Sequence, residues 1–171
     1  YATERAFAAL KADGSVVTWG DDNFGADSSA VILDHVQKIY TTDSAFAALK
    51  ADSSVVTWGA SGGNSAAVNL ENVDTIYSTD SAFAALKKDG SVITWGGRNT
   101  GQDSDAVILD NVDTIYSTSL AFAVLKPDGT VITWGDKNNG GDSTGVDAQL
   151  NNVQTIYSTD YAFAALKENG S

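Results

Sequence analysis

The four tryptophans of this chain, Trp19, Trp58, Trp95 and Trp134, keep step with two other aromatic series. One series is Tyr1, Tyr40, Tyr77, Tyr116 and Tyr157, and the other is Phe7, Phe46, Phe83, Phe122 and Phe163, each phenylalanine six residues after its tyrosine. Three aromatic series in register mark duplication of one unit of about 38 residues. A unit this short cannot bury two apolar faces by itself, so its copies must stack on one another. The 171 residues hold four full units and a partial fifth. They read as one repeat array over 1–171, a piece of a longer or self-associating assembly.

Each unit reads as three β-strands. The first run, as in residues 73–79, is β-branched and aromatic. The second is Ala-Phe-Ala-Ala-Leu-Lys, as in 82–87, and the third is Ser-Val-Ile-Thr-Trp-Gly, as in 91–96. Alanine favours helix, but a six-residue run stopped by Asp-Gly is too short to nucleate one. Asp13-Gly14, Asp89-Gly90 and Asp128-Gly129 join the second and third runs, and this dipeptide supplies the positive φ of a tight hairpin. One copy has Asp52-Ser53, where a serine in left-handed geometry costs about 1 kcal/mol and predicts a different turn. A weaker apolar stretch at 30–33 and 106–109 reads as a fourth, outer strand or an irregular segment.

A fixed aromatic in every unit suits packing between blades, so the predicted fold is all-β with propeller-type blades; a linear β-solenoid is the alternative. Trp19, Trp58, Trp95, Trp134, Tyr40, Tyr77, Tyr116 and Tyr157 are the expected inter-blade packing residues. The pattern Ala-Leu-Lys-x-Asp-Gly-x-Val-x-x-Trp-Gly occupies residues 9–20 and 85–96. It recurs with Val124 in first place at 124–135, and with Ser53 for glycine at 48–59. This resembles the repeat shared by the regulator of chromosome condensation and β-lactamase inhibitor protein II. The resemblance implies a propeller of three- or four-stranded blades closing with seven. The histidine that often opens the family's second strand is replaced by Ala6, Ala45, Ala82, Ala121 and Ala162.

The absence of cysteine excludes disulfides, thiolate metal sites and cysteine nucleophiles. A formal charge of −12 disfavours nucleic-acid partners and anionic lipid surfaces, and no apolar run approaches the roughly 20 residues of a spanning helix. The single histidine, His35, aligns with Asn72, Asn111 and Asn152, which makes it a turn residue, and the serines lack a base for a catalytic triad. No enzymatic activity is expected.

No cofactor is expected, with calcium the one ion to consider. Asp21, Asn23 and Asp27, and likewise Asp136, Asn138 and Asp142, alternate oxygen-bearing side chains around a glycine, as hard cations require. The same residues are ordinary turn formers. Phe24, Arg98, Asn99 and Asp103 in the connectors are the candidate binding surface.

The expected function is a non-catalytic adhesion-type module, bacterial, secreted or at the cell surface, that binds a protein or glycan and self-associates. A soluble inhibitor or regulator capping a partner enzyme, and a self-assembling structural array, are the alternatives.

Overall fold

A computed structural model describes residues 1–60, 63–65, 68–97 and 109–171. Unit one contains β1 (Ala6–Leu10) and β2 (Val16–Gly20). Unit two contains β3 (Val36–Thr41), β4 (Ala45–Lys50) and β5 (Val55–Gly59). Unit three contains β6 (Val73–Ser78), β7 (Ala82–Lys87) and β8 (Val92–Gly96). Unit four contains β9 (Thr114–Ser117), β10 (Ala121–Leu125) and β11 (Val131–Gly135). Unit five contains β12 (Val153–Ser158) and β13 (Phe163–Lys167). Every unit is its own antiparallel sheet, with the Ala-Phe-Ala strand in the middle of the three-stranded ones. The segment at 30–33 is irregular, and residues 106–108 of its counterpart lie outside the described residues; units two, three and four are three-stranded sheets, and units one and five are two-stranded among the described residues.

The middle strands show why the alanines are there. In β4, Ala45, Ala47 and Leu49 face unit three, while Phe46 and Ala48 face unit one. This is the period-two alternation of a strand buried on both sides. The alanines are fully buried and let the neighbouring sheet approach. Phe46 lies opposite Trp58 in the register and stacks on it, with ring centroids 5.0 Å apart. Phe83–Trp95 and Phe122–Trp134 repeat the stack at 5.2 and 5.3 Å. Burying a side chain of this size contributes about 1.5–3 kcal/mol, and a stacked pair adds about 0.5–1.5.

Trp58, Trp95 and Trp134 are buried. Tyr40, Tyr77 and Tyr116 are half-buried, with the Tyr40 hydroxyl 3.1 Å from Thr75 Oγ1 and that of Tyr116 3.4 Å from Thr155 Oγ1. Two of the expected packing residues behave otherwise: Trp19 is 50% exposed and Tyr157 60%. Both lie on the outermost faces, which no further unit covers.

The hairpin at Ser53 keeps the common turn rather than a different one. Ser53 sits at φ 67°, its N–H donates to Lys50 O at 3.0 Å, and Asp52 Oδ1 accepts from Ser54 N and Oγ. The local hydrogen bonds outweigh the strain. Ser53→Gly is therefore expected to stabilise the chain by about 1 kcal/mol, seen as a higher urea midpoint with unchanged slope. His35 occupies the same left-handed position, φ 53°, as Asn72, Asn111 and Asn152, in agreement with its reading as a turn residue.

Candidate binding face

The first strands of successive units are neighbours, β3 beside β6, β6 beside β9 and β9 beside β12, so they line the axis of the array. Each is followed by a threonine whose hydroxyl turns the chain. Thr42, Thr79 and Thr118 are buried, and their Oγ1 atoms accept from Ala45, Ala82 and Ala121 N at 3.0 Å. Thr3 and Thr159 do the same toward Ala6 and Ala162. These turns hold one tip residue per unit over the axis: Glu4, Asp43, Asp80, Ser119 and Asp160.

A backbone ladder joins the tips. Glu4 N–H donates to Asp43 O, Asp43 N–H to Asp80 O, and Asp80 N–H to Ser119 O, each at 2.9 Å; Ser119 N–H donates to Asp160 O at 3.0 Å. The tips surround a cavity of about 610 Å³. Four of the five carry carboxylates. Partial burial holds the Asp43 carboxyl above its usual range, and repulsion from Asp80 and Glu4 adds to the shift. A carboxyl whose folded pKa lies above its unfolded one favours the folded state most when protonated, and that contribution is lost as pH rises through the folded value. Asp43→Asn is therefore expected to raise the melting temperature at pH 7 but not at pH 3. The gain should shrink in high salt, which screens the repulsion.

The connectors reach the same end of the array. Single 3₁₀ turns at Asp22–Phe24 and Lys137–Asn139 follow β2 and β11. Thr3 Oγ1 donates to Phe24 O at 3.0 Å and Thr118 Oγ1 to Asn139 O at 2.9 Å, fastening each turn to the threonine of a tip. Phe24 packs half-buried between units one and two, and the Arg5 guanidinium lies 4.8 Å from its ring centre. It thus presents an edge and a cation, rather than a free aromatic side chain.

The proposed calcium ligands are placed as turn acceptors. Asp21 Oδ1 accepts from Asn23 N at 3.0 Å and Nδ2 at 3.2 Å. Asp136 Oδ1 accepts from Asn138 N at 2.9 Å and Asn139 Nδ2 at 2.7 Å. Asp27 accepts from Ser29, and Asp142 from Thr144; these hydrogen bonds hold both carboxyls below the usual range. Among the described residues, no three acidic or histidine side chains gather to hold a metal ion. Arg98, Asn99 and Asp103 lie outside the described residues.

The tip carboxylates are the residues that sequence reasoning missed. Their signal was present: an acid follows threonine at Glu4, Asp43, Asp80 and Asp160, once per unit. The interruption at Ser119 and the commonness of Thr-Asp in turns concealed it.

No protein-family model matches the sequence, and no curated protein matches it. Solved structures do share its architecture. The ectodomain of the Physcomitrella patens receptor kinase CR4 is similar with a TM-score of 0.66 and 20% identity, over 99% of this chain and 49% of that one. Human WBSCR16 is similar at 0.58 and 13%, over 98% and 51%. Prp20p of Saccharomyces cerevisiae, described with its binding to Gsp1p and histones, is similar at 0.54 and 15%, over 99% and 50%. This chain spans about half the length of these structures. It is an all-β array of blades with the propeller-type fold they share.

Proposed function

We propose that this chain is a non-catalytic, protein-binding propeller module that recognises basic protein segments through its axial face. The observation that carries this reading is the convergence of Glu4, Asp43, Asp80 and Asp160 on one cavity. Four carboxylates at one mouth create a field that attracts cations, and the overall charge of −12 extends it. Arg5 over Phe24 at the rim provides a stacking edge beside the acids.

The neighbours' partners support a protein ligand: Prp20p binds Gsp1p and histones, and yeast RCC1 was solved bound to Kap60. Membership of the regulator-of-chromosome-condensation repeat group is part of the proposal, supported by the recurring Asp-Gly-x-Val-x-x-Trp-Gly pattern. So is a location outside the cell, in keeping with the receptor-kinase ectodomain likeness.

Titration with a lysine- and arginine-rich peptide, followed by calorimetry at two salt concentrations, tests it. Binding should weaken with salt, and Asp80→Asn with Asp160→Asn should weaken it at least tenfold while the fold is retained. Equal affinity of the double variant, or preference for neutral glycans over the basic peptide, would contradict the assignment.

A further inference from the structure

Asp13-Gly14, Asp89-Gly90, Asp128-Gly129, Asn139-Gly140 and Asn169-Gly170 are the asparagine–glycine and aspartate–glycine pairs among the described residues. Such a pair is chemically vulnerable, because glycine has no side chain to shield its amide nitrogen from the carbonyl carbon of the preceding side chain. Four of the pairs are hairpin turns that hold this nitrogen. Gly14, Gly90, Gly129 and Gly170 N–H donate to Lys11, Lys87, Lys126 and Lys167 O at 2.9–3.0 Å. Gly140 differs. It follows the 3₁₀ turn Lys137–Asn139, and its N–H meets no acceptor among the described residues, whereas its counterpart Gly25 donates to Asp22 O at 3.2 Å.

The peptide group that carries this free nitrogen is also polarised from its other end. Thr118 Oγ1 donates to Asn139 O at 2.9 Å, which draws electron density from the nitrogen and makes its proton easier to remove. Asn139 is half-buried and its neighbours Lys137 and Asn138 are exposed, so water reaches the peptide. The Asn139 side chain is held at its amide end, where Nδ2 donates to Asp136 Oδ1 at 2.7 Å.

We propose that Asn139 is a self-modifying site, converted spontaneously to aspartate and isoaspartate. The Gly140 nitrogen attacks Asn139 Cγ and gives its proton to water. The new N–Cγ bond closes a succinimide ring as the Cγ–Nδ2 bond breaks, and Nδ2 leaves as ammonia. Water then opens the ring, at Cγ to give aspartate or at the main-chain carbonyl to give isoaspartate. The net change is the exchange of ammonia for water. Either product sets a carboxylate beside Asp136 in place of the amide that now donates to it. Isoaspartate also lengthens the main chain by a methylene in a tight seat, where a Cβ on Gly140 would come within 2.7 Å of Phe163 Cδ2. Both changes weaken the 3₁₀ turn and its tie to Thr118, and both add negative charge at the tip end of the array. The site goes beyond the partner-binding reading and does not depend on it.

The test incubates the full 171-residue chain at mildly alkaline pH and samples it over days. Peptide mapping by mass, with isoaspartyl methyltransferase labelling, follows Asn139 and Asn169 together. A held N–H must give up its hydrogen bond before it can attack, so in the folded chain Asn139 should react at least about threefold faster than Asn169. In concentrated urea neither nitrogen is held, and the two rates should converge. Asn139→Gln should remove the label at this site with the β circular dichroism unchanged. The modified chain, separated by anion exchange, should melt at a lower temperature than the untreated chain. Persistence of intact Asn139 in the folded chain would overturn the proposal, as would an Asn169 that reacts as fast, or the same ratio of rates in urea. An unchanged melting temperature would overturn the effect assigned to the turn.

Discussion

Trp58→Ala is expected to cost about 3–5 kcal/mol of unfolding free energy, whereas Trp19→Ala should cost under about 1.5 kcal/mol in the isolated chain. The two residues have the same neighbours in sequence and the same hairpin register, Trp58 opposite Phe46 and Trp19 opposite Phe7. They differ in what covers them. Trp58 is 5% exposed and its indole N–H is bonded to Gly25 O, so truncation opens a cavity between two sheets and leaves that carbonyl unpaired. Trp19 is covered on one side only, by its own stack with Phe7. Urea denaturation of the two variants checks the contrast. Equal losses would mean that the stack within a blade, rather than the contact between blades, holds the fold.

Gly59→Ala should be nearly as damaging, with a loss of about 2–6 kcal/mol from two sources. Its φ of 103° lies where a side chain is strained, which costs about 1–3 kcal/mol. A Cβ there would also come within 2.7 Å of Ser44 O and 2.8 Å of Ala45 Cα. Both are backbone atoms at the end of the adjoining strand, and they cannot move without disturbing the Ala45–Gly59 pair; such overpacking costs about a further 1–3 kcal/mol. Gly170→Ala separates the two effects. Gly170 has φ 81° with nothing within 4 Å, so only the strain remains and the loss should be about 1 kcal/mol. Equal losses at the two sites, measured by thermal or urea melts, would show that the close approach carries no cost.

Much of the blade was legible because its determinants are local. The Asp-Gly turns place Phe opposite Trp, and the Ala-Phe-Ala-Ala-Leu strand puts two alanines and the leucine on one face and the phenylalanine with the remaining alanine on the other. The alignment of His35 with Asn72, Asn111 and Asn152 marked a turn position, and the structure shows that all four adopt left-handed geometry. The candidate site was less legible. Phe24 stood out as an aromatic in a polar connector, but its ring is half-buried under Arg5, a residue nineteen positions away whose approach depends on how unit one folds back. The acids that gather are Glu4, Asp43, Asp80 and Asp160, which are separated by whole repeats and look like isolated turn residues along the chain.

The amino-acid order by itself determined the repeat, the hairpins, the stacked Phe–Trp pairs and the apolar character of both blade faces. These follow from contacts within about 15 residues and from the two-residue period of a strand. Only the tertiary structure decided which copies are covered and which are not, since Trp19 and Trp58 are the same residue in the same motif with different neighbours. It also decided that one acid per unit meets at the axis. That convergence comes from the rotation of one blade relative to the next, a quantity set by packing between sheets and written in no single repeat.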